Sequence, residues 1–322
     1  MSNDNYKEIL NTIKFKKINK NGKLKNYLIK SSFASYSSTG NNYSTTNIET
    51  LIKNLNLGCR LIHLDINWKF INNKRIPIVT NNNISYLNFD SNYILFEDCC
   101  KAIIDYGYNN KNKANYPLIL YLNLIYESKY LDVSNRISEN IKKYLKEYLL
   151  PIKFSYGNQN LTNIDINEFI FKKGNIELGN IIIIKNHFNN TLENNEEKRV
   201  DSTSLEELIN GYLKIVNDPS EVNEKDSLIG LIFKENYNKY INTNVYNLNS
   251  EILKDKLVFL IPRLNNGKQN ITNNLYNFNT FELFYNNNIM NFIMNQYISE
   301  NKNLKIKDDL NLYYGELFKL TN

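Results

Sequence analysis

The chain has 322 residues, 42% of them hydrophobic, enough to bury one large core. Its net charge of +6 is spread too thinly to form a nucleic-acid surface. No run of 18 apolar residues and no secretory leader pattern is found, so neither a transmembrane segment nor secretion is expected.

Asn, Ile, Lys and Tyr are heavily used, against only 11 Gly and 5 Pro. All four have A/T-rich codons, and the Asn runs are too short for a low-complexity tract. The three cysteines, Cys59, Cys99 and Cys100, do not make a disulfide framework and point to a reducing compartment. Lys14, Lys16, Lys17, Lys20, Lys23 and Lys25 give residues 1–26 the character of a basic, solvated arm.

In chain order, residues 27–33 read as a strand and 35–46 as a loop. Thr46 or Asn47 caps a helix whose apolar face is Ile48, Leu51, Ile52 and Leu55, and Gly58 ends it. Residues 59–68 form a buried strand with Leu61, His63, Asp65 and Asn67 on one face and Arg60, Ile62, Leu64 and Ile66 on the other. A short strand over 75–80, a polar loop over 81–92 and a helix over 96–106 follow. Pro117 opens another strand, and 133–149 reads as a long amphipathic helix. Residues 180–185 are a continuous apolar strand, and 188–203 an exposed, charged insertion. The remainder predicts a helix over 205–216, strands over 227–234, 257–263 and 289–296, and a short helix over 250–255. The tail from 299 ends in a closing helix or strand.

About eight strands, most of them separated by helices, predict an α/β fold: a single (β/α)8 TIM-like barrel. Sites in such barrels lie where strands end, which selects Phe33, His63, Asp65, Thr80, Asn123, Lys185, His187 and Arg263. An imidazole and a carboxylate side by side on a buried strand need partners or a task. They fill the barrel mouth as a hydrogen-bonded pair, or with Asn123 they nucleate a transition-metal site.

Several segments carry a family resemblance. Ser31-Ser32-Phe33-Ala34-Ser35-Tyr36 aligns with S-S-H-N-T-Y, and Gly58 to Trp68 with G-C-R-x-x-E-L-D-x-W-D. Pro77 to Asn83 aligns with P-V-V-x-H-G-H-T, Phe96 to Tyr108 with F-x-D-V-x-x-A-I-x-x-Y-A-F, and Tyr116 to Leu124 with Y-P-V-I-L-S-L-E-N. These strings belong to the split catalytic barrel of the phosphoinositide-specific phospholipases C, which the chain resembles over residues 27–298. The resemblance implies a PLC-like phosphodiesterase barrel divided by a linker. Residues 27–187 are then an X-like half, 188–225 a linker containing a helix, 226–298 a Y-like half, and 299–322 a tail.

The family cleaves a phosphodiester with two histidines and a Ca2+ held by an Asn and three carboxylates. At the matching positions stand Phe33 for the first His, Ala34 for the Asn, and Thr80, Asn81, Asn82 and Asn83 around the second His. His63 and Asn123 replace two carboxylates, and only Asp65 is kept. Losing one acid–base group costs about 10²–10⁴-fold, and one carboxylate offsets too little of the cost of dehydrating Ca2+. Neither a cofactor nor a catalytic residue is therefore expected, with Asp65 and His63 the only weak metal candidates. Lys185, His187 and Arg263 remain as phosphate-binding candidates.

The expected function is an inactive phospholipase C-like barrel kept as a structural or binding protein. Its expected partner is another protein, with an anionic lipid or phosphate as second candidate and nucleic acid excluded. The composition suits a large DNA virus, which places the chain in the cytoplasm or the virion. The alternatives are a phosphoinositide- or phosphate-binding protein and a divergent phosphodiesterase rebuilt around His63 and Asp65.

Overall fold

The computed structural model describes residues 15–37, 45–80, 92–126, 129–186, 205–216, 221–223, 225–232, 256–261, 281–282 and 318–320. Its strands are β1 (Tyr27–Ser32), β2 (Leu61–Ile71), β3 (Lys74–Val79), β4 (Ile94–Leu95), β5 (Leu118–Leu124), β6 (Ile170–Lys173), β7 (Ile176–Gly179), β8 (Ile181–Asn186), β9 (Gly211–Val216), β10 (Leu228–Ile232), β11 (Leu257–Ile261), β12 (Phe281–Glu282) and β13 (Phe318–Leu320). The helices are α1 (Ile48–Asn56), α2 (Phe96–Gly107), α3 (Lys111–Ala114) and α4 (Leu131–Tyr144).

Eight strands run parallel in the order β12-β1-β2-β5-β8-β9-β10-β11. Apart from β12, each neighbour is the next stave in sequence, and β11 at one end approaches β12 at the other. That is the strand order of a (β/α)8 barrel, in which adjacent right-handed βα units wind into a closed sheet. β13 adds an antiparallel strand to β1. No helix among the described residues is long and apolar enough to cross a membrane.

The local signals explain most elements. The Asn47 side chain accepts from Glu49 N at 2.8 Å and caps α1, which buries Leu51 and Leu55. Gly58 then turns the chain at φ 89°, a conformation a side chain resists. β2 overshoots the barrel and pairs with β3 across Asn72 and Asn73, both at positive φ, so the strand over 75–80 is a hairpin arm and not a stave. Arg75 of that arm stacks on Trp68 and Tyr130 and pairs with Asp132 of α4 at 3.2 Å, docking the hairpin.

Two elements differ from expectation. The helix predicted over 205–216 is a 3-10 turn, Glu206–Leu208, followed by stave β9. Leu205, Leu208, Ile209, Leu213 and Val216 fit a helical period, but Gly211 sits on the sheet, where a Cβ would lie 2.5 Å from Leu228 Cδ1. The barrel's need for a stave there overrides the weak local preference. The helix over 133–149 ends at Tyr144 and continues as a 3-10 turn, Lys146–Tyr148. The predicted elements over 250–255 and 289–296 lie outside the described residues, and the last stave described is β12.

Behind the sheet, three buried basic side chains close two helix ends. Lys30 Nζ donates to Leu57 O at 2.6 Å, and Lys113 Nζ donates to Leu55 O at 3.0 Å and Tyr106 O at 2.6 Å. Arg60 Nη2 donates to the Gly107 and Lys113 carbonyls at 2.7 Å. The carbonyls at a helix C-terminus lack partners within the helix and carry partial negative charge, so cations suit them. Burial pushes the Lys30 amine down to about 7 and the Lys113 amine down to about 6, with neighbouring Arg60 and Lys30 adding to the Lys113 shift.

The consequence for stability follows from proton counting. Unfolded, both lysines titrate near 10.5, so folding releases protons between about pH 6 and 10. Stability should rise with pH in that range, by up to about 1.4 kcal/mol per unit for each group. Burial also raises all three thiols from 9.0, Cys59 to about 12 and Cys99 and Cys100 further, and together they outweigh the two lysines and withdraw stability above pH 9. Urea unfolding from pH 6 to 10 at low salt should show a maximum near pH 9; a decline across pH 6–8 would contradict this picture.

Candidate functional site

The site lies at the carboxyl ends of β1, β2 and β5. Paired residues in adjacent strands point to the same face, so the pairs His63↔Tyr121 and Asp65↔Asn123 form one inward row. The turn after β1 clamps this row. Ser35 N donates to His63 O at 3.1 Å, and His63 N donates to Ser35 Oγ at 2.9 Å. The clamp holds Ala34 at φ 41°, a strained conformation for a non-glycine residue.

The His63 ring is stacked between Phe33, at 4.5 Å, and Tyr121, at 4.9 Å. Its Nδ1 accepts from Ala34 N at 3.0 Å. A nitrogen that accepts cannot carry a proton, so the ring proton sits on Nε2. Nε2 is buried without a hydrogen-bond partner and lies 3.4 Å from Asp65 Oδ1. The pair therefore attracts without forming a good hydrogen bond.

Asp65 takes its hydrogen bonds from elsewhere. The Tyr36 hydroxyl donates to Oδ2 at 2.5 Å, and Asn123 Nδ2 donates to Oδ1 at 2.5 Å. The same hydroxyl is 3.0 Å from the Thr80 carbonyl, which anchors the end of β3 to the site. Burial alone pushes the Asp65 carboxyl up, but His63 and the hydrogen bonds from Tyr36 and Asn123 outweigh it and hold it below the usual carboxylate range. Burial and the Asp65 charge push the Tyr36 phenol well above its ordinary value, so it stays a donor.

Among the described residues, the donor set does not fit a divalent cation. Ca2+ takes six to eight oxygens, yet Phe33 and Ala34 offer no side-chain oxygen and both Asp65 oxygens already accept. Nor does it fit a transition metal on His63. Metal at Nε2 would move the ring proton to Nδ1, against the Ala34 N–H. Among the described residues, no group of three or more His, Cys, Asp or Glu is placed to hold a metal ion.

Of the predicted site residues, the structure brings together Phe33, His63, Asp65, Asn123 and the Thr80 backbone. Lys185 stands apart. It pairs with Leu122, itself opposite Leu64, and so faces the helix layer with Arg60's row. There it is 2% exposed and ion-pairs with Glu206, which also accepts from the Tyr212 hydroxyl. The inward residue at this level is Asn186, whose amide accepts from Leu124 N at 2.8 Å and donates to Leu124 O at 3.1 Å. Alternation from Ile182 and Ile184 was the signal that could have found it. Asn81, Asn82, Asn83, His187 and Arg263 lie outside the described residues.

Residues 21–170 match the family described as phosphatidylinositol-specific phospholipase C, X domain. No curated protein matches the chain. Among solved structures, PLC21 of L. pealei is similar at 15% identity and a TM-score of 0.56, over 84% of this chain and 34% of that one. PLC21 of S. officinalis is similar at 16% identity and a TM-score of 0.57, over the same shares. The chain thus spans about a third of the length of these two proteins, and at this identity the likeness is one of fold. The X-domain match ends where the β6–β7 hairpin begins, so residues 21–170 are similar to a phosphatidylinositol-specific phospholipase C X domain, and the strand order beyond them continues a (β/α)8 barrel.

Proposed function

We propose that this chain is a phospholipase C-fold protein that no longer hydrolyses phosphodiesters and serves as a structural or protein-binding scaffold. One observation carries the reading: among the described residues, Asp65 is the carboxylate at the mouth, and both its oxygens already accept from the protein's own donors, Tyr36 and Asn123. Phe33 stands where the family has a proton carrier, and it covers His63 instead of replacing its chemistry. The Lys185–Glu206 pair removes one cation from the pool that could recognise phosphate at the mouth, which favours the scaffold over the headgroup-binding alternative. The codon-driven composition supports a place in the particle of a large DNA virus. Mass spectrometry of purified particles should detect the chain, and consistent absence would overturn that assignment.

The central test is turnover. Pure protein with phosphatidylinositol or phosphatidylinositol bisphosphate vesicles should release no inositol phosphate above background, with or without Ca2+. Two missing acid–base groups and the missing ligands predict a loss of at least about 10⁴-fold. Calcium titration by calorimetry should give no binding heat. Calcium-dependent release that disappears in Asp65→Asn would overturn the proposal.

A further inference from the structure

Asparagine precedes glycine at two places among the described residues, Asn21-Gly22 and Asn210-Gly211. Such a pair can shed the asparagine's own amide. The glycine's backbone nitrogen attacks the side-chain carbonyl carbon, and with no Cβ it hinders that approach least. The reaction needs a free side chain, an unbonded nitrogen and a backbone able to turn. Sequence alone gives both pairs the same standing, and the structure separates them.

Asn210 is held. It is 6% exposed, its Oδ1 accepts from Ile183 N at 2.8 Å, and its Nδ2 donates to Phe154 O at 3.2 Å. Its own N donates to Ile183 O at 2.8 Å, and Gly211 opens stave β9 opposite Ile184. Attack there would break these bonds and draw the stave out of the sheet. Asn21 is open. It is exposed, in a bend outside any helix or strand. Its backbone N donates to Asn19 Oδ1 at 3.1 Å. Among the described residues, neither its side-chain amide nor Gly22 N makes a hydrogen bond. The bend is also where the basic arm joins the body. Lys20 pairs with Glu177 at 2.7 Å, Lys20 O accepts from Asn167 Nδ2 at 3.3 Å, and Gly22 O accepts from Ile166 N at 2.9 Å.

We propose that Asn21 is a site of spontaneous deamidation through a succinimide formed with Gly22 N, and that Asn210 is spared. Gly22 N gives its proton to solvent and bonds to Asn21 Cγ, and the Cγ–Nδ2 bond breaks with release of ammonia. Water then opens the ring at either carbonyl, leaving an aspartyl or an isoaspartyl residue at position 21. Either product sets a carboxylate beside Lys20, in competition with Glu177. The isoaspartyl form also inserts a methylene into the main chain between the two carbonyls that hold the arm. None of this depends on the barrel mouth or on whether phosphodiesters are hydrolysed.

Incubation of the full chain at mildly alkaline pH tests the site, with tandem mass spectrometry of chymotryptic and tryptic peptides reading positions 21 and 210. In the folded chain, position 21 should convert at least about tenfold faster, because Asn210 reacts only when its stave opens. In concentrated urea the two rates should converge. Gly22→Ala should slow conversion at position 21 and leave position 210 unchanged. Equal conversion at both positions in the folded chain overturns the site. So does a rate at position 21 that rises on unfolding as much as the rate at position 210.

Discussion

Replacing Asp65 by Ala is expected to lower stability by about 3–5 kcal/mol, the range for breaking a buried charge network by removing one partner. The side chain is the common acceptor for Tyr36 and Asn123 and the nearest charge to His63. Without it, a phenol on a fully buried residue keeps only the Thr80 carbonyl at 3.0 Å, and the Asn123 amide loses its acceptor. Asp65→Asn preserves volume and one acceptor oxygen, so its loss should be about half as large. Urea unfolding of the three proteins at pH 7 measures this directly. A cost below about 1 kcal/mol for the Ala variant would show that the carboxylate is not a structural keystone. The result bears on function, because the family uses the same position to hold a cation.

Gly179→Ala should be more severe, above about 4 kcal/mol, or give no folded protein. A Cβ at Gly179 would fall on the backbone carbon and oxygen of Tyr116 and on Pro117 N, none of which can swing aside. The Gly179 carbonyl also accepts from the Tyr108 hydroxyl at 3.0 Å, so the strand cannot simply retreat. Gly157→Ala is the control. It sits at φ 89° with nothing within 4 Å of a built Cβ, so only backbone strain opposes it. That cost is about 1 kcal/mol. Soluble yield and melting temperature for the pair separate the two mechanisms, and a Gly179→Ala protein that melts like wild type would refute the packing of β7 against the start of β5.

The strand over 59–68 was readable because alternation assigns its two faces without knowledge of the fold. His63 and Asp65 do face inward, and Arg60 does face the helices. The cap at Asn47 and the stop at Gly58 are equally local, and both hold. The segment over 205–216 was misread because its apolar residues satisfy two periods, and only the tertiary fit of Gly211 chooses between them. Lys185 was misplaced by one residue of alternation: matching a motif gives position along a strand, whereas pairing with Leu122 gives the face. The role of Tyr36 was not legible at all. It meets Asp65 across 29 residues of chain, and nothing within either segment announces the contact.

The seam at β1 also constrains how the chain comes off the ribosome. Tyr27, Leu28 and Ile29 have β13 as their antiparallel partner, while Lys30 and Ser31 pair with β12. Both partners are translated long after β1 has emerged, so the nascent chain carries an open strand edge through most of its synthesis. Such an edge invites mispairing between neighbouring polypeptides on a polysome. Holdase chaperones should therefore matter more to the yield of this protein than its finished core would suggest.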